Sequence, residues 1–363
     1  MNKLRFGFLS TANIGRLNWK AICNSGNAIV TAVASRDAAR GREFIRKCQQ
    51  EFPFAAEPAA LGSYEELLAS PNVDAVYIPA PTGLRKEWVL RAAAAGKHVV
   101  CEKPCGVNLA DVQEMVDACR KNRVQFMDGV MFMHNPRLPR IRGVLDDGKS
   151  VGPVRRIASA FSFLGTGGFS DNNIRVDGRL EPTGCLGDLG WYCIRFTLWA
   201  LKWQLPHTVT GRILSQSEPT SGRKPAPTDF SAELFFADGV SAGFYSSFLA
   251  AQQQWVFVSG RDGWLRVPDF VHPFNGYEPA FEVNRTEIHV PAAPGVPAPA
   301  PGSDLAEFGH ATAQNTRMFR NFANRVFSGK LNDKWPMWAL KTQQVLDACF
   351  KSGQEGGKPV KTF

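Results

Sequence analysis

Short apolar runs alternate with amphipathic stretches through the first 128 residues of the chain. The runs at 4–9 and 28–34 are apolar along most of their length, as strands are when both faces of a parallel sheet are covered. Helix starts are marked by capping-box spacing from Ser63 to Glu66 and by Asn108. This alternation predicts a doubly wound parallel α/β sheet. The predicted strands are 4–9, 28–34, 74–78, 98–101 and 125–128, and the predicted helices are 15–25, 37–51, 85–95 and 109–121.

The pattern changes after about residue 130, where strand-like segments follow one another with short turns between them. Ala-Asp-Gly at 237–239 and Arg-Asp-Gly at 261–263 are typical of turns in antiparallel sheets. The proline-rich segment 291–302 is interpreted as an extended connection, with a partner-binding motif as the less favoured alternative. The other predicted elements are strands 155–163, 207–216, 229–237, 240–248, 254–259 and 263–267 and helices 187–201, 303–328 and 336–352.

The length of 363 residues exceeds what one small core usually holds, so we expect two domains. The change of pattern predicts a parallel α/β domain over 1–129 and a mostly antiparallel α+β domain over 130–363. The final helix is free to pack back on the first domain. The formal charge of +9 is spread without a long Lys/Arg block. A solvated basic surface is the simpler interpretation, binding of a phosphorylated cofactor is the alternative, and no nucleic-acid-binding module is recognisable.

The eight cysteines form no CxxC pair and lack histidines at metal-ligand spacing, so we expect free thiols and no metal site. The N-terminal residues lack the apolar core of a signal peptide, and no run approaches the ~20 apolar residues of a membrane span. These features predict a cytoplasmic protein without a membrane partner.

The turn after the first strand is the first candidate for chemistry. A dinucleotide fold places a tight small-residue turn there, so that helix N-terminal amides meet the pyrophosphate. The segment Ser10-Thr11-Ala12-Asn13-Ile14-Gly15 keeps only the third glycine of GxGxxG, with serine and alanine in the first two places. We expect Ser10, Ala12, Asn13, Ile14 and Gly15 to contact a dinucleotide, although an ordinary strand–helix turn remains open.

The end of the second strand bears on which dinucleotide binds. NAD enzymes usually carry an acidic residue there for the ribose 2′-hydroxyl. This chain has Ser35 and Arg36 instead, with Arg40 about one helical turn further on. A hydroxyl and two guanidinium groups suit a 2′-phosphate, so NADP is predicted over NAD. The alternative is that both arginines are ordinary exposed residues at a helix start.

Glu102-Lys103-Pro104 directly follows the strand 98–101, at the carboxyl edge of the predicted sheet, where ligands of open α/β folds bind. With this tripeptide and its placement, the chain resembles the glucose–fructose oxidoreductase/inositol dehydrogenase/rhizopine-catabolism (Gfo/Idh/MocA) family, especially its dimeric dihydrodiol and sugar dehydrogenase branches. The other matching segments are Pro79-Ala80-Pro81-Thr82, Gly96-Lys97-His98-Val99, Gly184-Cys185-Leu186-Gly187-Asp188-Leu189-Gly190-Trp191-Tyr192 and Thr342-Gln343.

The resemblance implies a Rossmann domain followed by an open-faced β-sheet domain through which members usually oligomerise, here as a homodimer or homotetramer. It implies hydride transfer between a nicotinamide and a sugar-like alcohol or carbonyl, with Lys103 catalytic and Asp188 and Tyr192 matching the family's Asp-x-Gly-x-His/Tyr pattern. It further implies cofactor contacts at Pro79, Thr82, Glu102 and Lys103.

The spacing of Asp188 and Tyr192 places them on one face of a helix. We expect the Lys103 ammonium to lower the pKa of the Tyr192 phenol, so that Tyr192 exchanges a proton with substrate while Lys103 stabilises the oxyanion and Asp188 orients either partner. Tyr192 as a packing aromatic is the alternative. Further substrate-binding candidates, each with a structural alternative, are Arg175, His134, Asn135 and Trp191.

Two departures from the family pattern leave the substrate open: Pro182 and Thr183 replace common glycines, and Arg85 stands where many members carry histidine. Two other functions also stay open. Some relatives cleave glycosides with a retained nicotinamide and no net redox change, and a nonenzymatic dinucleotide sensor would bind cofactor without turnover.

Overall fold

The computed structural model describes residues 3–166, 169, 173–219, 222–274, 280–284, 286–289 and 311–362. The segment 291–302 and the first part of the predicted helix 303–328 lie outside these residues. Among the described helices, none is long and apolar enough to cross a membrane.

The first sheet has the strand order β3-β2-β1-β4-β5-β6, and every neighbouring pair is parallel. This confirms the predicted doubly wound sheet, to which the structure adds the short strand β3. The chain runs outward from β1 in both directions, so a switch point opens at the carboxyl ends of β1 and β4. The elements are β1 (Leu4–Leu9), α1 (Asn13–Ser25), β2 (Ala28–Ala34), α2 (Ala38–Glu51), β3 (Ala59–Leu61), α3 (Tyr64–Ala69), β4 (Ala75–Ile78), α4 (Thr82–Ala94), β5 (His98–Cys101), α5 (Leu109–Lys121) and β6 (Phe126–Asp128).

The second sheet has the order β14-β13-β12-β11-β7-β10-β9-β8-β15, and within the described ranges only β7 and β10 pair in parallel. This confirms a mostly antiparallel second sheet. Its strands are β7 (Val154–Ser162), β8 (Thr208–Gln216), β9 (Pro227–Phe235), β10 (Ser241–Ser247), β11 (Gln253–Gly260), β12 (Trp264–Val267), β13 (Ala280–Val283), β14 (Thr286–His289) and β15 (Val360–Lys361).

Four further helices complete the described chain: α6 (Arg137–Asp146), α7 (Trp191–Ala200), α8 (Gln314–Phe327) and α9 (Lys334–Gln354). Helices α7 and α9 cover one face of the second sheet. Helix α8 instead packs on the first sheet, where the Phe319 ring lies 5.5 Å from that of Phe6 and Arg320 Nε donates to Ser25 O at 2.7 Å. The C-terminal helices therefore contact both sheets.

A fully buried arginine joins the two sheets and the last helix. Arg195 on α7 forms an ion pair with Asp128 at the end of β6, and its Nε donates to Thr342 Oγ1 on α9 at 2.7 Å. A buried charge is tolerated when it is paired and its donors are satisfied, and both conditions hold here. The contact fixes the carboxyl edge of the first sheet against the second domain.

Candidate active site

A cleft of about 730 Å³ lies between the two domains, above the carboxyl ends of β1, β4 and β5. Of the residues predicted to bind cofactor, it is lined by Ala12, Asn13, Ile14, Pro79, Glu102 and Lys103. Of those predicted for catalysis or substrate binding, it is lined by Lys103, Asp188, Tyr192 and Arg175. Lining residues that sequence reasoning did not single out as binding residues include Asn18, Arg85, Phe161, Phe163, Glu181 and His272.

The β1–α1 turn has the features that a dinucleotide requires. Ser10 adopts a φ of 127°, and helix α1 begins after Ala12 with neither a side-chain cap nor an acidic residue in its first turn. Ala12, Asn13 and Ile14 line the cleft, so the positive end of the helix dipole lies beside it. A Cβ on Gly15 would lie 3.2 Å from the Phe44 ring, which explains why glycine occupies this close helix contact. The turn fits a pyrophosphate.

Two arginines near the end of β2 are exposed to solvent. Arg36 and Arg40 are exposed, whereas Ser35 is buried and donates its amide to Leu61 O. The neighbouring carboxylate of Asp37 caps α2 by accepting from Ala39 N at 2.8 Å. The acidic group in this turn is thus engaged, and the region is suited to an anionic group.

Lys103 follows β5, and its ammonium reaches across to the second domain. Nζ donates to Asp188 Oδ1 at 2.6 Å and to Asp188 O at 2.8 Å. Asp188 lies in a turn of π-helix, Leu186–Gly190, immediately before α7. Such turns occur at functional sites, and this one places the side chain and carbonyl of one residue against the same ammonium.

The Asp188 carboxylate is held between two cations. Its second oxygen accepts from Arg175 Nε at 2.8 Å. Arg175 lies in the short 3₁₀ turn Ile174–Val176. Burial opposes ionisation of this carboxyl, but Arg175 and Lys103 together outweigh burial and hold the pKa of Asp188 well below its ordinary value. Asp188 is therefore an anion that fixes the position of both cations.

Tyr192 lies one helical turn beyond Asp188, with its ring beneath Lys103. The ammonium nitrogen is 4.9 Å from the ring centroid, and the hydroxyl contacts Met131 Sδ at 3.7 Å. Burial, with the nearby Glu102 and Asp188 carboxylates, raises the pKa of Tyr192 well above its ordinary value. The expectation of a lowered pKa is wrong, because the ammonium faces the ring and the surroundings disfavour a phenolate.

Glu102 points into a buried hydrogen-bond network beneath the cleft. Its Oε1 accepts from the Tyr77 hydroxyl at 2.7 Å, and Asn18 donates to that hydroxyl at 2.6 Å. Its Oε2 accepts from the backbone amide of Lys103 at 3.2 Å. The carboxylate thereby links β4, α1 and residues 102–104 after β5, which form the Lys103 loop.

Arg85 and Glu181 hold this loop from the other side. Arg85 donates to Ala80 O at 2.7 Å, to Thr82 Oγ1 at 3.0 Å and to Pro104 O. Thr82 in turn donates its amide and hydroxyl to Glu181 of the second domain. The side chain of Thr82 is thus engaged by protein, and its role as a cofactor contact stays a prediction.

Three predicted substrate residues lie outside the cleft. His134 borders a separate pocket, where its Nδ1 is 3.1 Å from Asn321 Nδ2 and burial lowers its pKa to about 4. Asn135 donates to Gln314 Oε1 at 3.0 Å inside the protein. Trp191 is fully buried, with the Arg195 guanidinium 5.6 Å from its ring. These residues pack at the domain junction and do not line the cleft, so the geometry of the site gives their predicted role in substrate binding no support.

Comparison with known proteins places the chain among oxidoreductases. Residues 4–130 match the model of the oxidoreductase family with an NAD-binding Rossmann fold, and residues 140–266 match the Gfo/Idh/MocA C-terminal domain. D-xylose 1-dehydrogenase (NADP(+)) 2 of Haloferax volcanii is 29% identical over 97% of this chain and 98% of its own length. Trans-1,2-dihydrobenzene-1,2-diol dehydrogenase of Bos taurus is 31% identical over 73% of each chain.

A solved structure is similar in fold to this chain over nearly its whole length. A 3-ketoreductase from Actinomadura kijaniata, crystallised with NADP and TDP-benzene, superimposes with a TM-score of 0.78 at 25% identity, covering 97% of this chain and 98% of that one. The two family models meet between residues 130 and 140, where the parallel sheet ends and the second sheet follows. The chain belongs to the Gfo/Idh/MocA family of NAD(P)-dependent oxidoreductases.

Proposed function

We propose that this protein is an NADP(H)-dependent oxidoreductase that transfers hydride between the nicotinamide and a sugar-like or polyol-like alcohol or carbonyl. The observation that carries the proposal is the meeting of Lys103 with Asp188 and Tyr192, from two domains, in a cleft that continues to the β1–α1 turn. The named substrates of the relatives, xylose and a dihydrobenzene diol, carry neighbouring hydroxyl groups and support this substrate class.

Residues of the protein would stabilise charge, hold position and donate the proton, while the cofactor handles the hydride. The nicotinamide, when bound, accepts or gives the hydride. Lys103 places a positive charge where the substrate oxygen becomes anionic, and Asp188 fixes that charge in position. Tyr192 carries a neutral hydroxyl at neutral pH and is suited to donate a proton to a carbonyl oxygen once that hydroxyl turns from Met131 to substrate.

NADP is proposed over NAD because of the end of β2. Arg36 and Arg40 bring two exposed positive charges to this edge, beside the Ser35 position, and Asp37 is engaged as a helix cap. A 2′-phosphate gains charge-assisted hydrogen bonds from guanidinium groups. An NADP-named relative of nearly full coverage supports the same preference.

We also infer a homodimer or homotetramer that forms through the face of the second sheet opposite α7 and α9. A shallow groove on the sheet, lined among others by Ala158, Ser231, Tyr245 and Trp255, offers mixed apolar and polar surface. Light scattering coupled to size-exclusion chromatography tests this inference. A monomer at every concentration would rule it out.

The central experiment measures NADPH formation or loss with a panel of aldoses, osones and dihydrodiols. Lys103→Met and Tyr192→Phe should each lower kcat by about 10²- to 10⁴-fold, as expected for loss of charge stabilisation or of an acid–base group. Lys330→Met, at an exposed lysine, is the matched control and should retain full turnover. Wild-type rates in both site variants would reject the assignment, and catalysis without net change in NADPH would favour a retained-cofactor reaction.

A further inference from the structure

Arg175 is only partly engaged by the protein. Its Nε donates to Asp188 Oδ2 at 2.8 Å, and its backbone amide donates to Asn173 Oδ1 at 3.0 Å, which holds the turn. Within the described part of the chain, the two terminal nitrogens of the guanidinium make no hydrogen bond to protein. The side chain is 43% exposed and lines the cleft. Two adjacent N–H donor groups are therefore available to a ligand.

The carboxylates that line the described cleft are already satisfied. Asp188 has one negative charge shared between Lys103 and Arg175, so this trio carries a net positive charge. Both oxygens of Glu181 accept from Thr82. Both oxygens of Glu102 accept from protein donors as well. The described cleft thus offers guanidinium N–H donors, whereas its carboxylate oxygens already accept hydrogen bonds from protein.

A rigid pair of guanidinium donors matches the oxygens of a carboxylate or a phosphate better than it matches single hydroxyl groups. A single carboxylate, that of Asp188, separates this guanidinium from the Lys103 ammonium. A ligand whose reacting oxygen meets Lys103 would therefore present its neighbouring substituent to Arg175.

We propose that the substrate carries an oxyanion, a carboxylate or a phosphate, a few bonds from the reacting carbon, and that the terminal nitrogens of Arg175 bind it. The inference rests on the proposed function, because Lys103 is taken to mark the reacting oxygen. It narrows the substrate from sugars in general to sugar acids or sugar phosphates.

The test compares gluconate and glucuronate, glucose 6-phosphate, and neutral glucose and xylose. Both kcat/KM with NADP(H) and calorimetric binding to the protein, with and without NADP⁺, are measured. At least one anionic compound should be preferred over its neutral counterpart, and the carboxylate and phosphate arms show which anion is bound. Arg175→Gln should lower kcat/KM and affinity for the anionic compound by about 10- to 100-fold, the range for a lost charge-assisted pair. Neutral sugars should lose only the support that Arg175 gives to Asp188, so the ratio of kcat/KM between the anionic and the neutral compounds should fall in this variant.

Two further variants separate local recognition from net charge. Arg175→Lys keeps the charge but loses the paired donors, so it should restore only part of the affinity. Arg140→Gln removes one exposed positive charge from α6 and should leave the anion preference unchanged. An equal loss for neutral and anionic compounds in Arg175→Gln, or an absence of any anion preference, would overturn the inference. Anion binding that depends on Arg175 without any turnover would support it and reject the proposed function instead.

Discussion

Thr82 and Glu181 join the two domains at the rim of the cleft. The Thr82 hydroxyl donates to Glu181 Oε2 at 2.5 Å, and the Thr82 amide donates to Oε1 at 3.0 Å. Arg85 donates to the same hydroxyl and to Pro104 O, directly after Lys103. These buried hydrogen bonds connect the Lys103 loop to the second domain, which carries Asp188. Buried networks of this kind fix geometry only when each member is satisfied.

Glu181→Ala should therefore loosen the Lys103 loop as well as the protein. It leaves the Thr82 donors without their acceptor, which costs about 1–3 kcal/mol of the free energy of unfolding for an unsatisfied buried group. We expect a matching fall in the urea midpoint and a lower kcat, since Lys103 is no longer held from both sides. Glu218→Ala, at an exposed glutamate, is the control. A variant with lowered stability but wild-type kcat would show that the contact has no role in positioning Lys103.

The buried pair of Asp128 and Arg195 should be the most sensitive ion pair to truncation among those described. Asp128→Ala leaves a fully buried guanidinium without its counterion, and we expect a loss of about 3–5 kcal/mol in the free energy of unfolding. Replacing both partners, as Asp128→Leu with Arg195→Met, should cost less than the single change because no unpaired charge remains. Glu43→Gln, which breaks an exposed pair on α2, should not change the urea midpoint measurably. Equal midpoints for Asp128→Ala and Glu43→Gln would contradict the argument.

Periodicity predicted five of the six strands of the first sheet and six of the nine strands described in the second, but not the short strands β3, β13, β14 and β15. The meeting of Lys103 with Asp188 was expected from the family resemblance, together with the position of Lys103 at the carboxyl edge of a parallel sheet. The sequence could not predict Arg85 as a residue that holds the Lys103 loop, since the Pro104 carbonyl lies 19 positions away and the bond depends on the loop's path. Trp191 shows a second limit. It precedes Tyr192 directly, but successive helical residues point about 100° apart, so Trp191 faces Arg195 in the interior.

At the domain junction, the polar character of a side chain was not enough to predict its role. Asn135 was a reasonable ligand for a hydroxylated substrate, yet it accepts from the Arg137 amide and donates to Gln314. Buried backbone and side-chain groups need partners in any fold, and this demand competes with function for the same residue types. Long-range partners such as Gln314, 179 positions away, leave no local signal in the sequence.

The raised pKa of Tyr192 predicts a loss of stability at alkaline pH. In the unfolded chain a tyrosine ionises near pH ~10, whereas burial keeps Tyr192 neutral to higher pH in the folded protein. The unfolded state then binds fewer protons, so the free energy of unfolding falls as pH rises above about 10. Tyr192→Phe should make this fall shallower by up to ~1.4 kcal/mol per pH unit, measured by urea unfolding between pH 8 and about 11.

Tyr245→Phe is the comparison for this pH series. Tyr245 is only partly exposed, and burial again raises its pKa, but less than that of the buried Tyr192. Replacing Tyr245 should therefore reduce the fall of the free energy of unfolding with rising pH less than replacing Tyr192 does. If the two variants and the wild type had the same slope, Tyr192 would ionise in the folded protein at its ordinary pKa, and its role as a neutral proton donor would lose its basis.

Discrimination between NADP and NAD should depend on the end of β2. Arg36→Gln with Arg40→Gln removes the two exposed cations, and we expect the KM for NADP to rise by about 10- to 100-fold from the loss of charge-assisted contacts. The KM for NAD should change little, because NAD has no 2′-phosphate for these groups to bind. Steady-state kinetics with both cofactors at two ionic strengths provide the measurement. Arg42→Gln, on the same helix and also exposed, controls for the change in net charge. Parallel losses for both cofactors would mean that these arginines contribute general electrostatic attraction, and a 2′-phosphate site would then have to be sought elsewhere along the cleft.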